Sequence, residues 1–293
     1  MLTKKHKWVL ELKTNHFVDT LMVWNYKTHF KNTWIEFADF REYQPWDDAK
    51  KIDFITSSKI GKTLVKLYEE ERELDVYFLP FFGEEINFEL NNINKRNIFE
   101  EILYVLWIST IKQQNKFSSL YYNWSQRNIF PLWKGFAHFY DYFSKIEKNN
   151  FCYNKNLIQK LLNKKTENNI SDKLKFFNSL KIKNSLVFLF TSDLDIDDMQ
   201  LKIAALKNDL VICNIFHSFE NSLDDSGIVG FTNWDENLFI DLDNDKKKSK
   251  YRKKRKQKVI DFRRKVRKSW ANYLYFDEKT NVFAQLYKFF QSR

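Results

Sequence analysis

Glycine and proline are nearly missing from this sequence, at five and three among 293 residues. Five glycines leave no room for a glycine-rich loop that cradles phosphate at a helix N-terminus. Cysteine is scarce as well. Cys152 and Cys213 lie far apart without metal-ligand spacing and read as ordinary reduced thiols, consistent with a cytosolic compartment. His6, His16, His29, His138 and His217 are scattered, with no H-E-x-x-H pattern and no nucleophile constellation around them. Long apolar runs are absent too. The most apolar stretch, residues 102–111, is far short of the roughly 20 residues that span a bilayer. The N-terminus has charges but no uninterrupted apolar segment of the signal-peptide kind. These absences lead us to expect a cytoplasmic protein without a membrane span, a bound cofactor or a catalytic centre.

What is abundant is aromatic and basic. Hydrophobic residues make up 43%, which excludes wholesale disorder, and aromatics reach 18%, with 29 Phe. Phe, Tyr, Lys, Asn and Ile are all favoured by A/T-rich codons, so their abundance reads as genome composition rather than chemistry. The net charge of +11 is unevenly spread. Residues 246–268 hold fifteen Lys and Arg against one acid, Asp261, a local charge of +14 that leaves the rest of the chain at −3. One segment is basic; the body is not.

Hydrophobic periodicity organises the chain. Residues 2–30 are expected to be helical, with Trp8, Val9, Leu12, Val18, Leu21 and Met22 at mixed three- and four-residue spacing. Residues 33–56 suggest extended structure broken at Gln44 and Pro45, and 59–73 a short strand running into a charged connector. Strands are expected at 76–80, 117–122, 185–191, 210–216 and 272–276. Helices are expected at 97–114, 136–143, 156–180, 195–206, 247–269 and 281–290, with a β-rich excursion at 227–241. Short apolar strands alternating with helices indicate an α/β fold, its mainly parallel sheet covered by helices. Ligands in such folds bind beyond the C-terminal ends of the strands. The natural division is an N-terminal segment, 1–72, followed by the α/β domain, 73–293.

Residues 36–53 read EFADFREYQPWDDAKKID. They resemble the fingerprint EF-x-D-x-R-x-Y-x-P-G-D-D-x-R-x-I-D-W of a bacterial family catalogued as domain of unknown function number fifty-eight. The matching positions include Glu36, Asp39, Arg41, Tyr43, Pro45, Asp47, Asp48, Ile52 and Asp53. The likeness continues through Ser58-Lys59, Val65-Lys66 and Glu69 to Glu71. It resumes at Ser192-Asp193, then at Glu220 to Gly227, and at Asp235, Glu236 and Asp241. Members of that family carry a von Willebrand factor type A-like (vWA-like) domain and are commonly encoded beside MoxR-type AAA ATPases. The resemblance therefore implies a vWA-like, Rossmann-like sheet. It also implies a non-catalytic adaptor whose partner is such an ATPase or its client, acting in complex assembly or maturation. The fingerprint block and the loop around Asp193 are the implied docking surface.

Three departures qualify that likeness. The family's glycine after Pro45 is Trp46, which would alter any backbone conformation needing φ > 0 there. The family's Trp after Ile-Asp is Phe54. A metal-competent vWA domain ends its first strand in Asp-x-Ser-x-Ser, whereas residues 76–83 read VYFLPFFG, with no Asp, Ser or Thr. Magnesium needs near-octahedral oxygen coordination anchored by carboxylates. Leu79, Pro80, Phe81 and Phe82 supply no side-chain oxygen, so the metal site is expected to be degenerate, with Asp193 as the residual candidate ligand.

Other candidate sites have plainer readings. Asp193, Asp195, Asp197 and Asp198 follow an expected strand, but an EF-hand loop fails for want of glycine at its sixth position and with Ala204 at its twelfth. Helix capping is the favoured reading, ahead of residual cation binding and partner docking. Asp48-Ala49-Lys50 matches half of a metal-dependent nuclease motif, although the longer fingerprint accounts for the same residues. In an extended segment Asp39 and Arg41 share a face and suit a structural ion pair. The basic segment offers Arg252, Lys253, Lys254, Arg255, Arg263 and Arg264 for anion binding, with Val259, Ile260, Phe262 and Val266 facing the domain. It reads as a solvated helix, as a contact for nucleic acid or anionic lipid, or as a charged docking face. His217, at the end of an expected strand, reads as polar surface.

Overall fold

The computed structural model describes residues 34–71, 74–82, 84–90, 93–123, 126–148, 170–223, 228–232, 237–241 and 243–292. The helix expected at 2–30, the first part of that expected at 156–180, and Cys152 lie outside them. Phe30–Leu74 forms one compact unit, and Asp75–Arg293 belongs to a second.

In the smaller unit β1 (Trp34–Glu42) pairs antiparallel with β2 (Leu64–Glu71), with a register shift between Phe37 and Asp39. Between them lie a 3-10 turn (Ala49–Lys51) and helix α1 (Phe54–Ile60). Gly61 ends α1 in the left-handed conformation at φ 76°, a position that glycine occupies without strain. Two expectations are corrected here. Residues 54–56 are helical rather than extended, because the Asp53 carboxylate accepts the Thr56 amide and caps a helix. Glu69 to Glu71 are not a connector either; they complete β2, opposite Trp34 to Glu36.

In chain order the larger unit contributes β3 (Asp75–Pro80), a 3-10 turn (Glu84–Asn87), β4 (Glu89–Leu90), β5 (Ile93–Asn94) and α2 (Lys95–Lys112). Then come β6 (Lys116–Asn123), β7 (Gln126–Trp133), α3 (Phe136–Lys148), α4 (Ile170–Ser179), β8 (Leu186–Thr191) and α5 (Asp198–Lys207). Next are β9 (Asp209–Ile215), α6 (Ser218–Ser222), β10 (Ile228–Thr232) and β11 (Asn237–Asp241). The chain continues through α7 (Asp245–Lys268), β12 (Asn272–Phe276) and α8 (Val282–Gln291). No described helix is long and apolar enough to cross a membrane.

Six of these strands form the main sheet, in the order β12-β9-β8-β3-β6-β7. All neighbours are parallel except β7, which runs antiparallel to β6 at the edge. β7 was not anticipated from the sequence. Its edge position tolerates Pro131, which can donate no ladder hydrogen bond. Pro80, at the end of the central strand β3, faces the same constraint. It lies opposite Phe190 but past the end of the β6 pairing, so its missing N–H interrupts nothing.

Alternation along β8 separates two cores. Val187 and Leu189, with Leu79, Leu210 and Ile212, pack against Leu174 and Phe177 of α4, Leu201 and Ala204 of α5, and Phe262 and Val266 of α7. On the opposite face Phe188 stacks with Phe78 and Phe190 lies tilted to it, and their neighbours are Phe99 of α2 and Phe290 of α8. Helices thus cover both faces, and every residue of β8 is buried. That double burial explains the uninterrupted apolar run LVFLFT.

Helix α7 is anchored by one narrow stripe. Phe262 and Val266 are buried, Tyr251, Arg255, Val259 and Lys265 are half-buried, and most other positions are exposed. Ile260, expected on the packed face, is exposed instead. Two residues from Phe262 is about 200° around a helix of 3.6 residues per turn, which turns its side chain outward.

Candidate functional site

Sheet order locates the first place to look. Progression from β3 runs outward through β6 to β7, then restarts on the other side with β8, making β3 and β8 the switch point of the sheet. Ligand crevices of open α/β sheets lie outside the carboxyl ends of such strands. Here those ends carry Phe81 and Phe82 after β3, and Ser192 and Asp193 after β8.

Apolar bulk dominates the β3 end. Phe82 packs edge-on against Phe99, 5.1 Å between ring centroids, and the Phe81 amide continues the ladder to the Phe190 carbonyl at 2.9 Å. The buried Lys173 of α4 reaches across to donate its ammonium to the Phe82 carbonyl at 2.9 Å. At the β8 end, one oxygen of Asp193 accepts the Leu194 and Asp195 amides at 2.7 and 3.0 Å. Buried Asn214 of β9 fixes this loop by donating to the Thr191 and Asp193 carbonyls, while accepting the Tyr273 hydroxyl. Desolvation pushes the Asp193 carboxyl above the usual range, opposed by those two amides and by the charge of Arg255. Burial likewise pushes the Tyr273 phenol up to about 12.

These donors do not fit a hard divalent cation. Residues 79–82 offer no side-chain oxygen, the Phe82 carbonyl already accepts an ammonium, and Asp193 is engaged with backbone amides. No group of three or more His, Cys, Asp or Glu among the described residues is placed to hold a metal ion. Asp197 caps α5 through the Gln200 amide, and Asp198 sits in the first turn, so the helix starts three residues later than expected. Asp195 and Asp193 precede that cap.

One charge cluster escaped sequence reading. Lys95 opens α2 and is only 2% exposed. Its ammonium lies 2.5 Å from Glu220 of α6, whose other carboxylate oxygen takes Arg255 of α7 at 3.0 Å. The guanidinium of Arg255 also lies over the Phe216 ring, 4.8 Å from its centroid. Beside the cluster, His217 is buried rather than surface. Its Nδ1 accepts the Phe219 amide and its own amide donates to Glu220, forming a reciprocal cap on α6. The Nε2 of His217, the Oγ of Ser192 and the Nε of Arg255 are buried and bond no described residue. A Lys-Arg pair bridged by one Glu has no sequence pattern, because lysine is normally exposed. The only available signal was the Asn94 helix cap directly before two basic residues.

Arg255 therefore leaves the anion-binding set proposed from sequence, since it is drawn inward by Glu220. Arg252 donates to the Ser222 carbonyl. Lys253, Lys254, Arg263 and Arg264 remain exposed on α7.

The fingerprint residues lie in the smaller unit, apart from Asp193 in the larger one, and most are structural. Arg41 pairs with Asp47 through two bonds of 2.8 and 3.0 Å, not with Asp39 as alternation suggested. The Asp39 carboxylate instead accepts the Phe40 amide at the strand irregularity, where simple alternation fails. Asp47 also takes the Gln44 amide at 2.8 Å. Asp48, the nuclease-motif candidate, caps the 3-10 turn by accepting the Lys50 amide. Asp53 caps α1 and pairs with Lys66 at 2.8 Å. Tyr43 and Ile52 tie the loop to β2 through the Thr63 carbonyl and a bridge to Val65. Arg41 and Lys66 hold Asp47 and Asp53, respectively, below the usual carboxylate range. Trp46, in the place of the family's glycine after Pro45, does not adopt a positive φ. Beside exposed lysines such as Lys50, Lys51 and Lys59, this loop displays large apolar side chains: Trp46 is 82% exposed, Phe54 74% and Ile55 72%, with Ile60 also exposed.

No curated protein and no solved structure matches the chain. The family model described as protein of unknown function DUF58 matches residues 39–261, from within β1 to within α7. That span joins the fingerprint, the switch-point strands and the Glu220 cluster in one pattern, and the chain belongs to the DUF58 family.

Proposed function

We propose that the protein is a non-catalytic, vWA-like adaptor of the cytoplasm that docks a MoxR-type AAA ATPase or its client without a bridging metal ion. The observation that carries this reading is the apolar display on the fingerprint loop. Arg41, Asp47, Asp48 and Asp53 are bonded within the loop, while Trp46, Phe54, Ile55 and Ile60 face outward. Large apolar side chains clustered in exposed positions mark interaction surfaces. Burying each is worth about 1.5–3 kcal/mol. The mainly parallel, doubly covered sheet is the scaffold that the vWA-like reading requires. The donor-poor end of β3 accounts for docking by side chains alone.

The test is affinity capture of the tagged protein from nuclease-treated native lysate, with and without magnesium. A AAA ATPase should be recovered in both conditions. Recovery should fall at least about tenfold for Trp46→Ala/Phe54→Ala/Ile55→Ala, given the burial these side chains provide. Capture that requires magnesium, or that the triple variant leaves intact, would overturn metal-independent docking through this loop.

A further inference from the structure

Helix α7 belongs to the larger unit, not to the unit that holds the fingerprint loop. Its inward cations have acids: Arg255 has Glu220, and Lys265 has Asp198 at 2.5 Å. Among the described residues no acid pairs with Lys253, Lys256, Arg263, Arg267 or Lys268, and Asp261 bonds only Gln257 and Arg264. Lys253, Lys256, Ile260, Arg263 or Arg264, and Arg267 recur at steps of three and four residues, which puts them on one stripe. At 1.5 Å per residue, the stripe runs roughly 21 Å from Lys253 to Arg267. Toward its C-terminal end, Ile260, Arg263, Arg264, Arg267 and Lys268 line a shallow, open groove of about 510 Å³.

Two residues after Lys268 in the chain comes Trp270, 83% exposed and in the left-handed conformation at φ 64°. Its amide donates to the Arg267 carbonyl at 3.1 Å, and the Ala271 amide closes the helix on the Val266 carbonyl at 3.3 Å. Glycine is the residue such a helix end favours. A bulky aromatic residue there is strained, and the exposed ring contributes little to the core.

We infer that this stripe and Trp270 bind single-stranded nucleic acid, the cations tracking the phosphates and the indole stacking on an unpaired base. A 21 Å row of exposed positive charge, most of it without an acid partner among the described residues, complements a polyanion of regular spacing better than a small anion. Exposed aromatics beside such rows serve as sequence-tolerant stacking platforms. A duplex supplies the charge but offers Trp270 no unstacked base. An anionic bilayer fits less well, because helices that adsorb to membranes turn an apolar face to the lipid. The apolar face of α7 lies in the core through Phe262 and Val266.

Fluorescence anisotropy of the full chain with a labelled oligothymidylate of about twenty nucleotides tests this. Four phosphate contacts predict binding about fiftyfold weaker at 200 than at 50 mM salt. Arg263→Gln/Arg264→Gln/Arg267→Gln/Lys268→Gln should weaken binding more than about tenfold and flatten that salt slope. Trp270→Gly should weaken single-strand binding by about tenfold while leaving both the slope and duplex binding unchanged. Thermal melts of both variants should match or exceed that of the parent, which excludes unfolding as the cause. The inference is overturned if the quadruple variant binds like the parent, or if the affinity ignores salt. It is equally overturned if Trp270→Gly binds single strands unaltered, or if phosphatidylserine vesicles bind α7 and the oligonucleotide does not.

Discussion

In the fingerprint loop Arg41, Asp47, Asp48 and Asp53 bond other side chains or the backbone, while Trp46, Phe54 and Ile55 face outward. Along α7 the arrangement is reversed: Phe262 and Val266 face inward, and the cations face outward. Each region displays what its own folding leaves unused. A short excursion between two strands has little apolar surface to bury against, so caps and ion pairs shape it. A long helix lying on a sheet is held by one apolar stripe, and its remaining circumference stays open to other uses. The same logic separates Arg255, held by Glu220, from Lys253, two residues away and exposed.

The largest expected effect tests the inward side of α7. Glu220→Gln leaves Lys95 and Arg255 without their shared carboxylate and should destabilise the larger unit by about 3–5 kcal/mol, because a buried cation then lacks its partner. Urea denaturation measures this, and a loss under about 1 kcal/mol would show that Glu220 does not hold the inward cations.

Acid should open the loop next. Asp47 and Asp53 titrate below the usual range, so their stabilisation is complete above about pH 4 and is lost as pH falls through their lower folded values. Hydrogen exchange at residues 43–63 should therefore accelerate before exchange in β8 and β9. Loop protection that outlasts the sheet would remove charge as the loop's organiser.

Trp270→Gly relieves a bulky side chain from a left-handed position and should add about 1 kcal/mol of stability. That corresponds to a melting rise of about 2–4 °C. A fall in melting temperature would mean that the ring serves the fold after all.

The smallest effect is at the switch point. Desolvation raises the Asp193 carboxyl, so its protonated form suits the fold below the unfolded value near pH 4, and that advantage is lost as pH rises through the higher folded value. Asp193→Asn should melt slightly higher than the parent at pH 7 and equally at pH 3. Identical midpoints at pH 7 would show that Asp193 carries no such burden.

Legibility in the sequence followed locality. β8 and β12 were readable to within a residue, because apolar runs bounded by polar turns carry their own signal. α1 was missed because its cap, Asp53, sits inside an aromatic stretch that looks extended. β7 was missed because its apolar residues, Ile129, Phe130, Leu132 and Trp133, do not alternate and Pro131 among them argues against a strand. Arg41 was given Asp39 by alternation, but a register shift in β1 and the turn at residues 43–47 delivered Asp47 instead. His217 looked like surface, yet its ring caps α6 within the core. No periodicity marks a buried Lys95.

The sequence alone determined the alternation of strands and helices, the family fingerprint, the absence of side-chain oxygens at residues 79–82 and the concentration of charge at 246–268. All four depend on residue type and near-neighbour spacing, which a linear chain displays. Only the tertiary structure decided the strand order that makes β3 and β8 the switch point. It alone chose which cations of α7 meet acids and which face solvent, and which fingerprint residues build the loop rather than present it. Those outcomes depend on groups far apart in the chain, such as Lys95, Glu220 and Arg255, reaching bonding distance only once the sheet has formed.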